Sequence, residues 1–600
     1  MSHDAGTTAR QARGARPRMR RSAGAVPRQV HAGRAGLALT ALSIAATAAA
    51  GLAGPSAMEP ALPGRPGQPP WDLGLQLPPT AAISLAAAAL AAGTAGLGLC
   101  LYALRRGWTV SPRAVLAAGL IAAAVVTLAP PFGSSDQLSY AAYGRMVVTG
   151  HNPYLTTPAM LAKLGDPVAR AVQDWRGSPS VYGSLATGGQ ALASWIGGDS
   201  ARLTVFVLSL LGLAAFAATG LLLHLLTRGS RERQLRAGLL WTLNPLLLQV
   251  LVAGAHVDSQ AIVFAVAAIA VFALGMPRVR LPDPCRGERP GGGMDRKATA
   301  QRGALRWTRS RPEIWETHPD ASGQAGPRRL GVAAAAGAVA GLAAAVKLSF
   351  VLLAAGLVVA ALLAWWPPPA SAGQAGRWRP LALAAGGVIA GFMVTVAAAL
   401  LPWGPQSAAP ALRAGSYVSI GSPWRAVRSG LRLLVGEGHA DSLVRAGAIV
   451  LAVALLALFA RPLRVLASAV TGTPAGGDPV NAAQLTVLAA ASCFVLGFAW
   501  LVAWPYVLPW YDGLGWALLA LLPWAPLPWA ALDWLVLART AALAFGYLPA
   551  RGIALPAGLD WLRSVVRTGV TPAALLAATV TLALLLWPHR PRRLARQARP

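Results

Sequence analysis

The chain has 600 residues, 55% of them apolar and only 12% charged, with a mean hydropathy of +0.52. A globular chain carries about a quarter of its residues as charges, so the composition excludes a soluble enzyme or a disordered polyelectrolyte as a description of the whole. The net charge of +31 does not point to nucleic acid, because the basic residues gather between long apolar runs, as they do at the ends of membrane spans. The expected fold class is therefore an all-α polytopic membrane protein. Cys100, Cys285 and Cys493 stand alone, with no CxxC or metal-ligand spacing, so neither a disulfide framework nor a metal or other cofactor is expected.

Residues 1–34 hold eight Arg and no apolar run and read as a basic cytoplasmic tail. A retained first span is expected at 35–54, followed by spans at 81–104, 114–131, 201–226, 237–253, 260–275, 380–401, 443–460, 482–504 and 570–587. The run 330–366 is too long for one crossing. The segment 276–329 carries twelve basic residues and is placed in the cytoplasm, as is a turn at Arg461–Arg464. An even number of crossings must separate them, so 330–366 should cross twice, turning near Lys347. The stretch 513–548 reads as two short crossings broken at Pro523, Pro526 and Pro528. The expected total is about 12–14 spans with both termini inside. These divide into an N-terminal membrane region, 35–275, and a C-terminal one, 330–588, joined by a disordered 276–329 loop and followed by a basic tail at 589–600.

The outer loop 132–200 is different in character. Four basic residues balance four acidic ones, and helical signals recur, so it should be ordered and partly helical. Ser134 and Gln137 form a capping-box spacing, starting a short helix near the interface. At about 100° per residue, Asp136, Tyr140, Tyr143 and Val147 share one face, with Arg145 on the opposite side. Two readings of Asp136 stand side by side: a first-turn acid favoured by the helix dipole, or a catalytic carboxylate at the mouth of the membrane domain.

The strings SSDQLSYAAYGRMVVTGHNPY (134–154), SPSVYGSLA (178–186), NPLLLQVLVAGAHVDSQ (244–260), AAAVKLSF (343–350) and PYVLPWYDGLGW (505–516) follow in one order. That series resembles the GT-C glycosyltransferases that use polyprenyl-phosphate sugars. It is most similar to the actinobacterial polyprenol-phosphate-mannose-dependent α-1,6-mannosyltransferases of lipomannan and lipoarabinomannan core synthesis. The likeness runs from about residue 114 to 548. It implies a GT-C-like fold in the cell membrane and an active site on the outer face. A polyprenyl-phosphate sugar would be the donor, a lipid-linked glycan the acceptor, and Asp136 the catalytic base of an inverting transfer. Val257 and Ser184 depart from the family's pattern, where Asn and Pro are common.

Such a transfer needs a base, a cation for the departing phosphate and a surface for the sugar. Lys347 is the first candidate for the phosphate, since an ionisable group in an apolar run is a functional candidate by default; snorkelling from a helix end is the alternative. Arg425, Arg428 and Arg145 are further cationic candidates, each of which would serve equally as a lipid or solvent contact. His256 and Asp258 flank a short outer turn, suited to sugar hydroxyls or to helix capping. Trp510, Tyr511 and Asp512 suit stacking on a sugar, or belong to the aromatic belt. Tyr154 and Tyr182 read as loop packing. Two rival functions remain: another polyprenyl-phosphate-sugar transferase, such as an arabinosyltransferase, and a polytopic transporter or lipid flippase. A transporter would gather its polar groups at the bilayer midplane, whereas these gather at one surface.

Overall fold

The computed structural model describes residues 28–275, 325–364, 378–471, 481–524, 528–549 and 551–587. The expected cytoplasmic loop up to residue 324, the extreme N-terminus and the C-terminal basic tail lie outside these residues. Among the described residues ten helices are long and apolar enough to cross a membrane, and three shorter apolar helices accompany them. The protein is a polytopic, all-helical membrane protein.

The first helices are α1 (Arg28–Leu52), α2 (Pro79–Arg105) and α3 (Pro112–Leu128). Helix α1 therefore begins at Arg28, inside the segment expected to be tail. It packs on α2 through a stripe of small residues, Gly33, Gly36, Thr40, Ser43 and Thr47. A Cβ on Gly36 would lie 2.9 Å from the Gly96 carbonyl oxygen, and one on Gly96 would lie 2.7 Å from the Thr40 nitrogen. Lipid gives apolar helices little reason to associate, so close backbone approach through small residues holds the pair together.

A cluster of short helices follows: α4 (Asp136–Val148), α5 (Pro158–Lys163), α6 (Pro167–Arg170) and α7 (Ser184–Gly197). This is the ordered, partly helical 132–200 loop. Its start differs from the expected capping box. The Asp136 amide donates to the Ser134 hydroxyl at 3.1 Å, but the Gln137 side chain donates to the Ser134 and Pro131 carbonyls instead of accepting from an amide. Gly144 lets α4 lie directly on the α7 backbone at Gln190.

The chain then forms α8 (Ala201–Leu226), α9 (Arg231–Leu240), α10 (Pro245–Leu247) with a π-helical continuation over Leu248–Val252, and α11 (Asp258–Gly275). The apolar run after residue 324 breaks at Lys347 into α12 (Ala325–Val346) and α13 (Leu352–Ala364), with a 3₁₀ turn over Leu348–Val351 between them. Helix α12 packs on α11 and α14 (Trp378–Leu400), whereas α13 packs mainly on α18 (Ala482–Ala503).

Between α14 and α18 lie α15 (Ala409–Ala414), the amphipathic α16 (Pro423–Val435) and α17 (Glu437–Thr471). The turn expected at Arg461–Arg464 does not form: α17 continues through Pro462. A proline removes one intrahelical hydrogen bond, and within a membrane helix that loss is tolerated where neighbours satisfy the freed group. The final helices are α19 (Asp512–Leu521), α20 (Trp529–Gly546) and α21 (Thr571–Leu586). Two ion pairs fasten the short α19. Arg539 on α20 approaches Asp512 at its start (3.4 Å), and Arg236 on α9 donates to the Leu519 and Leu522 carbonyls near its end while pairing with Asp533.

Candidate active site

Asp136 opens α4, and its position is set by backbone pins on both sides. The Phe132 amide donates to the Ala253 carbonyl at 3.0 Å, and the Gly133 amide to the Met58 carbonyl at 2.7 Å. The first of these bonds ties the entrance of α4 to the turn that carries His256. Ala255 in that turn has a φ of +50°, a left-handed conformation that an alanine adopts only where the surroundings impose it.

Three of the four residues expected to share a face of α4 meet in one cavity, and Val147 lies outside it. Asp136, Tyr140 and Tyr143 line one cavity of about 160 Å³, together with Trp175, Tyr182, Lys347, Trp500, Trp504, Tyr506, Trp510, Tyr511 and Tyr417. The Tyr182 hydroxyl donates to Tyr140 Oη at 3.3 Å, and Tyr140 Oη lies 3.4 Å from His256 Nδ1. Tyr143 donates to the Ser178 carbonyl at 3.0 Å. The Asp136 carboxyl is raised from 3.8 to about 7, first by burial and then by the charge of Asp174, with Lys347 opposing. A helix N-terminus alone would lower it, so burial outweighs the dipole here. His256 Nδ1 stands 3.8 Å from Asp136 Oδ2. Burial, followed by the Lys347 charge, pushes the imidazole well below its usual range and keeps it neutral.

Lys347 enters the same cavity from the break between α12 and α13. Its Nζ donates to Asp258 Oδ1 at 2.7 Å and lies 3.7 Å from the centre of the Tyr511 ring. An ammonium has three donors, so the Asp258 bond leaves capacity for another anion. The backbone at this point is positioned by the YGS segment: the Gly183 amide donates to the Val346 carbonyl at 3.0 Å, and a Cβ on Gly183 would collide with the Ala345 carbonyl. Tyr182 and Lys347 are therefore placed by the same contact. The Asp258 side chain, at the start of α11, is occupied by Lys347 and leaves its Oδ2 without a partner in the protein.

Several expected residues sit elsewhere or are differently engaged. Trp510 is buried and stacks on His256 with ring centres 3.5 Å apart, and the half-buried Tyr511 has one face against Lys347, while both rings line the cavity. Asp512 is buried in its pair with Arg539 and accepts from Thr540 at 2.9 Å; it does not line the cavity. Arg145 points away from Asp136, paired with Asp166 at 2.7 Å and with Asp199. Arg428 is paired with Asp441, and Arg425 is exposed on α16; neither lines the cavity. Tyr154 donates or accepts at Thr187 within the loop.

Asp174 and Trp175 also belong to the site, although no sequence pattern of their own marks them. Ser135 donates to the Asp174 carboxylate, Ser139 to the Asp174 carbonyl at 3.3 Å, and Tyr143 to the Ser178 carbonyl. Ser135, Ser139 and Tyr143 lie four residues apart on one face of α4, and this stripe clamps the 174–178 loop over the cavity. Serine and tyrosine at that spacing are the signal that could have located the loop. Among the described residues no group of three or more His, Cys, Asp or Glu is placed to hold a metal ion.

Fold and cavity together define a class: a multi-pass membrane protein with one carboxylate and one ammonium facing the same aromatic-lined chamber. The family described as alpha-(1->6)-mannopyranosyltransferase, N-terminal domain, matches residues 36–364, more than half of the chain, and the chain belongs to that family. It is also similar to the alpha-(1->6)-mannopyranosyltransferase B of Corynebacterium glutamicum, at 30% identity over 158 residues, which make up 26% of this chain and 26% of that relative. The likeness thus spans about a quarter of the curated relative's length. No solved structure matches the chain.

Proposed function

We propose that the protein is an inverting mannosyltransferase that moves mannose from polyprenyl-phosphate mannose to a mannoside or lipomannan acceptor, forming α-1,6 links on the outer face of the cell membrane. The observation that carries the reading is the shared cavity, in which the Asp136 carboxyl, held up to about 7, faces the same space as the Lys347 ammonium. A base works best with a pKa near the operating pH. The acceptor hydroxyl would give its proton to the Asp136 carboxylate as its oxygen bonds the anomeric carbon. The bond from that carbon to the phosphate oxygen breaks at the same time, and the electron pair leaves with the phosphate. One displacement inverts the centre without a covalent intermediate. Lys347 would meet the charge growing on the phosphate, with Asp258 and Tyr511 holding the amine in place. His256, neutral and stacked on Trp510, would hold Tyr140 and so shape the wall beside Asp136.

The family supports the sugar and the linkage. The sequence resemblance supports the lipid-phosphate donor and the outer face. In membranes containing the Asp136→Asn variant, transfer of radiolabelled mannose from polyprenyl-phosphate mannose to a mannoside acceptor should vanish while insertion is unchanged. Turnover equal to the wild type would reject the base. A parallel assay offering polyprenyl-phosphate arabinose separates this reading from the arabinosyltransferase alternative.

A further inference from the structure

We infer that Trp175 and Tyr417 form a saccharide subsite at the rim of the Asp136 cavity, where the acceptor glycan stacks. The inference rests on the glycosyl-transfer reading above and assigns the place of one of its substrates.

Trp175 has a φ of +61°. A bulky residue in the left-handed region is an outlier that persists only where the surroundings impose it, and such strain gathers at ligand sites. The imposing contacts are the α4 clamp on Asp174 and Ser178, with the Ser178 amide returning to the Trp175 carbonyl at 2.9 Å. The clamp does not bury the indole. Trp175 remains 42% exposed and Tyr417 38% exposed, although both line the cavity. Their rings are nearly parallel, 11° apart with centres separated by 6.0 Å. Tyr417 arrives on the stretch between α15 and α16, so two distant loops each deliver an exposed aromatic to one spot.

Two large rings this exposed forgo the benefit of burial, unlike Tyr140, Tyr143 and Trp510, which are buried in the same cavity wall. A flat aromatic surface with wet edges suits a ring that is apolar on its face and hydroxylated around its rim, which describes a pyranose. Among the described aromatics of the cavity Trp175 and Tyr417 are the most exposed: Trp510 is buried against His256, Lys347 takes a face of Tyr511, and Trp500, Trp504 and Tyr506 are half-buried. The Trp175 side chain also lies close enough to the Asp136 carboxyl to favour its charged form. A sugar on this platform has its hydroxyls beside the base, and the substrate whose hydroxyl must reach the base is the acceptor. The donor phosphate belongs near Lys347.

The test uses the full chain in lipid nanodiscs titrated calorimetrically with an α-1,6-linked oligomannoside alone. Glycine is at ease at positive φ, so Trp175→Gly removes the ring without straining the loop. Saturable binding is expected in the wild type. It should weaken about tenfold in Trp175→Gly, the scale of one aromatic contact, and return largely in Trp175→Phe. Tyr417→Leu should weaken it about threefold, and it carries the same test if the glycine variant fails to reach the membrane. Absence of saturable binding to the wild type, or equal affinity in the ring-deleted chains, would overturn the subsite. With donor added, the acceptor KM should rise in Trp175→Gly while the donor KM stays within about twofold; a rise confined to the donor KM would also overturn it. A chain that binds the oligomannoside but transfers no mannose rejects the proposed reaction and leaves the subsite standing.

Discussion

Asp136 is governed by two opposed effects, and their order has a measurable result. The helix dipole and Lys347 favour the carboxylate, while burial and Asp174 favour the acid, and the second pair prevails to hold the group at about 7. A base must be deprotonated, so kcat/KM should rise with pH and level off above about 7. Replacing Asp174 by Asn removes a like charge and should move that acid limb to lower pH; an unmoved limb would mean that another group controls it. Lys347 poses the complementary question. Truncating it to Met should lower turnover by about 100-fold or more, the usual scale for a lost electrostatic contact in a transition state. It also strands Asp258, and an uncompensated buried charge costs about 3–5 kcal/mol. The double change Lys347→Met with Asp258→Asn should therefore recover thermal stability in detergent without recovering turnover. Recovery of both would return Lys347 to a structural role. Asp136 and Lys347 were legible in the sequence because each interrupts a pattern, one at the first turn of a helix and the other within an apolar run. Trp175 interrupts nothing: a lone tryptophan in a loop has no periodicity, and its significance lies in a backbone angle and in the bonds that pin the neighbouring Asp174 to residues 39 and 35 positions away along the chain.

At the scale of elements, hydrophobic length located nearly every span, and α8 coincides with the expected 201–226. Misplaced ends have a common cause. Basic residues and proline mark places where a helix can stop, yet α1 begins among arginines and α17 runs through Pro462, because neighbouring helices decide whether those residues are accommodated. Lys347 was expected at the turn of a tight hairpin. The chain does break there, but α12 and α13 find different partners, which sequence distance along an apolar run does not reveal. Glycine contacts carry much of this arrangement. Gly183→Ala would push a methyl against the Ala345 carbonyl and should destabilise the protein by about 1–3 kcal/mol, as overpacking does, while lowering turnover because Lys347 shifts with α12. Thermal unfolding and the transfer assay report the two effects separately; wild-type values in both would show that the loop yields without moving the lysine.

Across the whole molecule, charged residues inside apolar helices became readable once their partners were in view. Asp533 and Arg539, the two charges within the 513–548 stretch, are each half of a buried pair: Asp533 with the distant Arg236, Arg539 with Asp512 at the start of α19. Asp533→Ala would leave Arg236 without its carboxylate and should lower stability by about 3–5 kcal/mol, read as a lower Tm with no shift in the pH profile of transfer.

The chamber wall is shared between two stretches of chain. Asp136, the clamped loop and Lys347 lie within residues 36–364, the part that matches the family, whereas Ala411, Tyr417, Trp504 and Tyr506 come from beyond it. Both stretches thus build the wall: Trp175 comes from the earlier one and Tyr417 from the later. Mutation in the later stretch can reshape part of the chamber while Asp136 and Lys347 stay untouched, so a chimera that exchanges only residues 401–524 with those of a relative should shift toward that relative's preference for glycan length and keep its own pH profile.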